Sequence, residues 1–89
     1  MLYATHIKMK SGHENSQSLI EIDQIYIRDR GWYRKADLYD HLVKNPKTIA
    51  VNIYPYPYLI PSLSVNREKY VRSNPDIYKH DDLLDLPRV

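Results

Sequence analysis

Apolar and polar positions alternate through residues 2 to 9, LYATHIKM, which places Tyr3, Thr5, Ile7 and Met9 on one face and Ala4, His6 and Lys8 on the other. That two-residue period predicts a β-strand. The polar stretch SGHENSQS reads as a loop. A second strand is expected in LIEIDQIYIRD, residues 19 to 29. Its phase slips, because Ile20 and Ile22 fall on one parity and Ile25 and Ile27 on the other. Either both faces of this strand are partly buried, or a bulge near Asp23 and Gln24 resets the register; the bulge is the preferred reading.

Gly31 interrupts this pattern, and YRKADLYDHLVKN, residues 33 to 45, takes up helical spacing, with Leu38, Tyr39, Leu42 and Val43 on one stripe. Pro46 stops the helix, but no Ser, Thr, Asp or Asn marks its start. KTIAVNIY alternates again, with Ile49, Val51 and Ile53 apolar, and SLSV (62 to 65) and KYVR (69 to 72) are short strand candidates. Leu83, Leu84, Leu86 and Val89 are expected to pack back onto the body. The pattern predicts a single α+β domain over residues 1–89, order ββαβββ, with one helix on a mostly antiparallel sheet of four to five strands and the tail 74–89 packed against it.

The segment NIYPYPYLIP, residues 52 to 61, holds three tyrosines and three prolines. Read as a continuation of the strand begun at Thr48, it puts Tyr54, Tyr56 and Tyr58 on one face, opposite Ile49, Val51 and Ile53. Pro55, Pro57 and Pro61 share a parity, so their missing N–H groups would lie along one edge, which predicts an edge strand. The tyrosines would form a ladder on the sheet's solvent side or meet a partner protein. Base stacking on them is disfavoured, because such platforms interleave Lys or Arg and residues 48 to 66 have neither. The spacing does not match a P-x-x-P ligand.

Composition narrows the function classes. Hydrophobic residues make up 43% and charged residues 27% of the 89, an ordinary globular balance that excludes wholesale disorder. Nine tyrosines and no phenylalanine mean that many rings carry a hydroxyl needing water or a partner, and so lie near the surface. The net charge of +2 neither demands nor excludes a polyanion. Absence of cysteine removes disulfides, zinc–thiolate sites and thiol catalysis. No secretory signal and no membrane-spanning run is expected, which suggests a soluble cytoplasmic chain.

Candidate chemistry is sparse. His6, His13, His41 and His80 form no ligand pair at metal-binding spacing, so no metal and no cofactor is expected. KHDD, residues 79 to 82, sets His80 beside Asp81 and Asp82, yet adjacent side chains seldom face each other, and a capped turn at Leu83 to Leu86 is the better reading. Ser11, Ser16, Ser18, Ser62, Ser64 and Ser73 lack nucleophile-elbow glycines. The cluster RDRGWYRK, residues 28 to 35, is the richest: Arg28, Arg30, Arg34 and Lys35 surround Trp32 and Tyr33. With Lys8 and Lys10 it suits a phosphate-binding surface or a protein hot spot. The plainer alternative has Trp32 anchoring the helix to the sheet.

KYVRSNPDIYKHDDLLDLPRV resembles the closing signature of a family of small bacterial and phage-borne proteins, domain of unknown function 3892. The matching residues are Tyr70, Val71, Arg72, Ser73, Asp81, Leu83, Leu84, Leu86 and Pro87. THIKMKSGHENSQSLIEI and GWYRKADLYDHL match its first two strands and its helix, so the resemblance covers nearly the whole chain. Tyr33, where the family usually has Ser or Thr, and the YPYPY insertion depart from the pattern. The resemblance implies a compact α+β fold and brings no activity.

Three function classes follow. The first is a non-enzymatic module that docks on another protein or on a second copy of itself, through Tyr54, Tyr56 and Tyr58 or the Arg28–Lys35 cluster. The second is nucleic-acid binding in a phage or mobile-element setting, with Lys8, Lys10, Arg28, Arg30, Arg34 and Lys35 on phosphates and Trp32 stacking. The third is an enzyme using His80 with Asp81 or Asp82.

Overall fold

In a computed structural model, which describes residues 1–74 and 79–89, the chain is α+β. The elements run β1 (Leu2–Met9), β2 (Ile22–Ile27), β3 (Gly31–Arg34), α1 (Lys35–Lys44), β4 (Ile49–Val51), β5 (Ile60–Leu63) and β6 (Lys69–Arg72). Short 3-10 turns stand at Leu19–Glu21 and Asp82–Asp85. Instead of a single sheet there are two: a four-stranded one ordered β3-β2-β1-β4, and the hairpin β5-β6. β1 and β4 pair in parallel and every other strand pair is antiparallel.

Two single-residue irregularities set the phase of the large sheet. Ala4 pairs with Ile27 and His6 with Tyr26, which leaves Thr5 unopposed; Lys8 pairs with Gln24 and Met9 with Ile22, which leaves Asp23 unopposed. An unopposed residue shifts the alternation by one position. The bulge at Asp23 therefore places Ile22 in phase with Ile25 and Ile27, and all three are buried, as the slipped isoleucine pattern predicts. The bulge at Thr5 has no counterpart in the alternation read from sequence. It moves Ala4 onto the buried face with Ile7 and Met9, and leaves Tyr3 on the opposite face with His6 and Lys8. Burying one large aliphatic side chain is worth about 1.5–3 kcal/mol, so a phase error exposing Ile25 and Ile27 would forfeit roughly 3–6 kcal/mol.

Gly31 opens a strand where the sequence suggests only a break. Arg30 N–H donates to the Ile27 carbonyl at 2.9 Å, Asp29 has φ 65° and Gly31 φ 107°. Asp and Gly are residue types that accept these left-handed conformations, and together they close a tight hairpin between β2 and β3. The helix consequently starts at Lys35 rather than Tyr33, with Arg34 as an N-cap that offers no side-chain hydrogen bond. Leu38 and Leu42 are buried and Tyr39 packs at the core's edge, whereas Val43 is 58% exposed. α1 packs against the hairpin β5-β6 and also touches β2 and β3.

The tyrosine–proline stretch does not extend β4. Val51 ends the strand, the Tyr54–Pro55 peptide is cis, and Tyr56 N–H donates to the Ile53 carbonyl at 2.6 Å. That hydrogen bond closes a four-residue turn over residues 53 to 56, which reverses the chain. Residues 57 to 59 then return beside β4, with Val51 N–H on the Pro57 carbonyl and Leu59 N–H on the Ile49 carbonyl, both at 2.8 Å.

Asp81 anchors the tail. Its buried carboxylate accepts from Ser73 N–H (2.8 Å), Ser73 Oγ–H (2.5 Å), Asn74 N–H (3.0 Å) and Leu83 N–H (2.9 Å). The last of these caps the turn Asp82–Asp85 and lets Leu83, Leu84 and Leu86 enter the core. Val89 stays 72% exposed, although Ile7 N–H donates to the Pro87 carbonyl and Val89 N–H to the Ile7 carbonyl, so the last residues lie parallel to β1. Residues 75 to 78 of the tail lie outside the described residues. Asp81→Ala leaves these donors without their acceptor and is expected to destabilise the fold by about 2–4 kcal/mol in chemical denaturation; a loss below about 0.5 kcal/mol would show that the tail is held by its leucines alone.

Candidate functional site

The face of the large sheet turned away from α1 gathers the side chains that carry chemistry. Tyr26 pairs with His6 on β1 and with Trp32 on β3. Their rings form a row of edge-to-face contacts, with centroids 6.0 Å apart for His6–Tyr26 and 5.3 Å for Tyr26–Trp32. The next row along the strands is Lys8, Gln24 and Arg34, in direct register. Cross-strand partners lie about 5 Å apart, so rings and cations form adjacent lines on one surface.

At the other end of the same face, the Arg28 guanidinium sits 5.5 Å from the centre of the Tyr3 ring. Tyr3 meets Tyr56 edge-on at 6.1 Å, and Tyr56 meets Tyr54 at 6.1 Å. The reversed turn after β4 thus delivers two of the segment's tyrosines to the open face, where Lys8 on β1, Arg28 just after β2 and Arg34 on β3 supply the cations that residues 48 to 66 lack. Tyr54 is 82% exposed and Trp32 39%. A shallow groove of about 520 Å³ separates the two aromatic groups and is bordered by Thr5, His6, Tyr26, Arg28, Asn52 and Asp85 among others. Among the described residues, Lys8, Arg28 and Arg34 form no ion pair; the carboxylates of Glu21, Glu68 and Asp40 are engaged elsewhere with Lys10, His13, Lys35 and Lys69, and that of Asp85, in the groove wall, with His80.

The Arg28–Lys35 cluster is therefore divided, not continuous. Arg28, Trp32 and Arg34 share the open face. Arg30 and Tyr33 border a cavity of about 310 Å³ on the helix side, with Leu38 and His41. Trp32 faces away from α1 and does not anchor it. Lys35 is only 8% exposed, and its ammonium donates to the Ile20 carbonyl and to the Glu68 carboxylate. It joins the helix start, the turn at Leu19–Glu21 and the β5–β6 connection, and has no role on a binding surface. Lys10 is drawn into the same pair, 3.2 Å from Glu68. Tyr58 stands apart from Tyr54 and Tyr56: it bridges back to Ala50 and borders a cavity with Pro46, Ile60 and Pro61.

Nothing in the sequence pattern singles out Tyr3 or Tyr26, and His6 stands in it only as a histidine without a partner at metal-binding spacing. The available signal was the spacing of Tyr26 and Trp32 about the turn RDR, which would have paired them had those residues been read as a hairpin loop. Among the described residues, no group of three or more His, Asp or Glu side chains could hold a metal ion, and no helix is long and apolar enough to cross a membrane. His80 pairs with Asp85 at 2.7 Å instead of Asp81 or Asp82. No protein-family model, curated protein or solved structure matches the chain. The likeness to domain of unknown function 3892 rests on the residues quoted above.

Hydrogen bonds from Lys35 and then Lys10 hold the Glu68 carboxyl below its ordinary value of 4.5, and the bond to Glu68 raises Lys10 above 10.5. The Glu68 contribution to stability is complete above pH 4.5 and is lost as pH falls through the lowered value. The Lys10 contribution is complete below pH 10.5 and is lost as pH rises through the raised one. Glu68→Gln should lower the melting temperature at neutral pH and flatten its decline on acidification below 4.5. Parallel acid limbs for the two proteins would show that Glu68 does not couple to folding.

Proposed function

We propose that this chain is a non-enzymatic binding module whose open sheet face takes single-stranded nucleic acid. The observation that carries the reading is the adjacency, on one surface, of exposed rings (Trp32, Tyr54, Tyr56) and half-buried ones (Tyr3, Tyr26) with cations that no carboxylate of the described residues neutralises (Lys8, Arg34, Arg28). Each base stacked on an aromatic side chain is worth about 1–3 kcal/mol whatever its identity, and each phosphate neutralised releases counterions. An open sheet presenting aromatic residues suits unstacked bases. A duplex would offer its phosphates and keep its bases from the rings, so single strands bind in preference. The same residue types serve protein hot spots, but there cations are ordinarily met by acidic partners one at a time. Here three cations, each without an ion-pair partner among the described residues, flank a line of rings.

Trp32 is the sole tryptophan, so its fluorescence reports directly on the face. Titration with a short oligothymidylate should quench it saturably. The logarithm of the affinity should fall against the logarithm of salt concentration with a slope of about −2, from about −0.7 for each of the phosphates met by Lys8, Arg28 and Arg34. Tyr26→Ala should weaken binding by about 1–3 kcal/mol while Tyr58→Ala leaves it unchanged. Unaltered fluorescence at low salt, together with salt-resistant retention of one protein from nuclease-treated lysate, would reassign the face to protein docking.

A further inference from the structure

A second site lies on the tail side of the molecule. Arg72, at the end of β6, borders a cavity of about 270 Å³ with Tyr70, Gln17, Ser18 and Lys79. Its Nε is fully shielded from solvent and has no hydrogen-bond partner, and among the described residues Arg72 forms no ion pair. Buried donors are satisfied in the great majority of cases, and an arginine cannot shed its proton to escape the cost. The one carboxylate among the described residues of the cavity wall is not its partner: Asp81 Oδ1 accepts from Ser73 Oγ–H and Leu83 N–H, and Oδ2 from the N–H groups of Ser73 and Asn74. Nearby His80 is paired with Asp85 at 2.7 Å. Among the described residues, Arg72 and Lys79 thus form no ion pair, and they share the cavity wall with Tyr70, Gln17 and Ser18.

We infer that this cavity binds the phosphate group of a small molecule. A guanidinium edge matches two oxygens of an oxyanion at once, and a second cation beside it suits a doubly charged phosphate better than a singly charged carboxylate. The volume is slightly below the range of about 300–1,000 Å³ that holds drug-sized ligands, which limits the occupant to phosphate with a short organic body. Arg72 is separate from the open sheet face, so the assignment stands or falls independently of nucleic-acid binding there.

The test follows the Arg72 Nε–Hε resonance of the full chain by NMR while inorganic phosphate, glycerol phosphate or succinate is added at constant chloride ionic strength. A saturable shift with phosphate and glycerol phosphate, at lower concentration than with succinate, is expected. Arg72→Lys should weaken it about tenfold and Lys79→Ala severalfold, the loss of one charge-assisted contact. The wild-type resonance decides the matter even if an Arg72 variant fails to fold. An Arg72 signal that does not move, or that moves equally with succinate, overturns the assignment.

Discussion

Two unopposed residues, Thr5 and Asp23, govern what this molecule shows to solvent. A sheet side chain has only two directions, and a shift of one position exchanges them for everything downstream. Because both bulges lie in the paired strands β1 and β2, they bring Ala4, Ile7, Met9, Ile22, Ile25 and Ile27 to one side. Tyr3, His6, Lys8, Gln24 and Tyr26 then lie on the other. The core could form in no other phase without exposing isoleucines, so the composition of the open face follows from burial and needs no separate stabilisation.

The rest of the fold protects that arrangement from the far side. α1 and the hairpin β5-β6 cover the buried face, and Lys35 ties both to the turn before β2 through Glu68 and the Ile20 carbonyl. Asp81 fastens the tail, whose last residues run beside β1 where β4 has ended. Covering one face so thoroughly leaves the opposite one to loops that only border it, and the turn carrying Tyr54 and Tyr56 extends the surface rather than closing it.

Elements with a single strong period were legible from sequence. KYVR forms β6 over the residues its alternation marks, Leu38 and Leu42 face inward as helical spacing requires, and the isoleucine slip locates the bulge at Asp23. The companion bulge at Thr5 was not legible, because alanine and tyrosine carry little sidedness and an alternating reading of β1 looks regular either way. Gly31 reads equally as a breaker or as the left-handed residue of a hairpin, and only pairing with β2 decides for the latter. Tyr54, Tyr56 and Tyr58 would share a face only in a continuous strand, which the chain reversal after Ile53 removes. For the site, Trp32, Arg28 and Arg34 were legible as a cluster. Which members share a surface was not, since the pairing of β3 with β2 and the burial of Lys35 against Glu68 are tertiary facts.

The most direct test of the account is amide and side-chain chemical-shift mapping with a short single-stranded oligonucleotide at low and then high salt. Perturbations are expected to concentrate on Tyr3, Lys8, Arg28, Trp32 and Arg34 and to fade as salt rises, while Val43 on the exposed side of α1 stays still. Perturbations centred on α1 or the β5-β6 hairpin, or a complete absence of shifts at low salt, would contradict it.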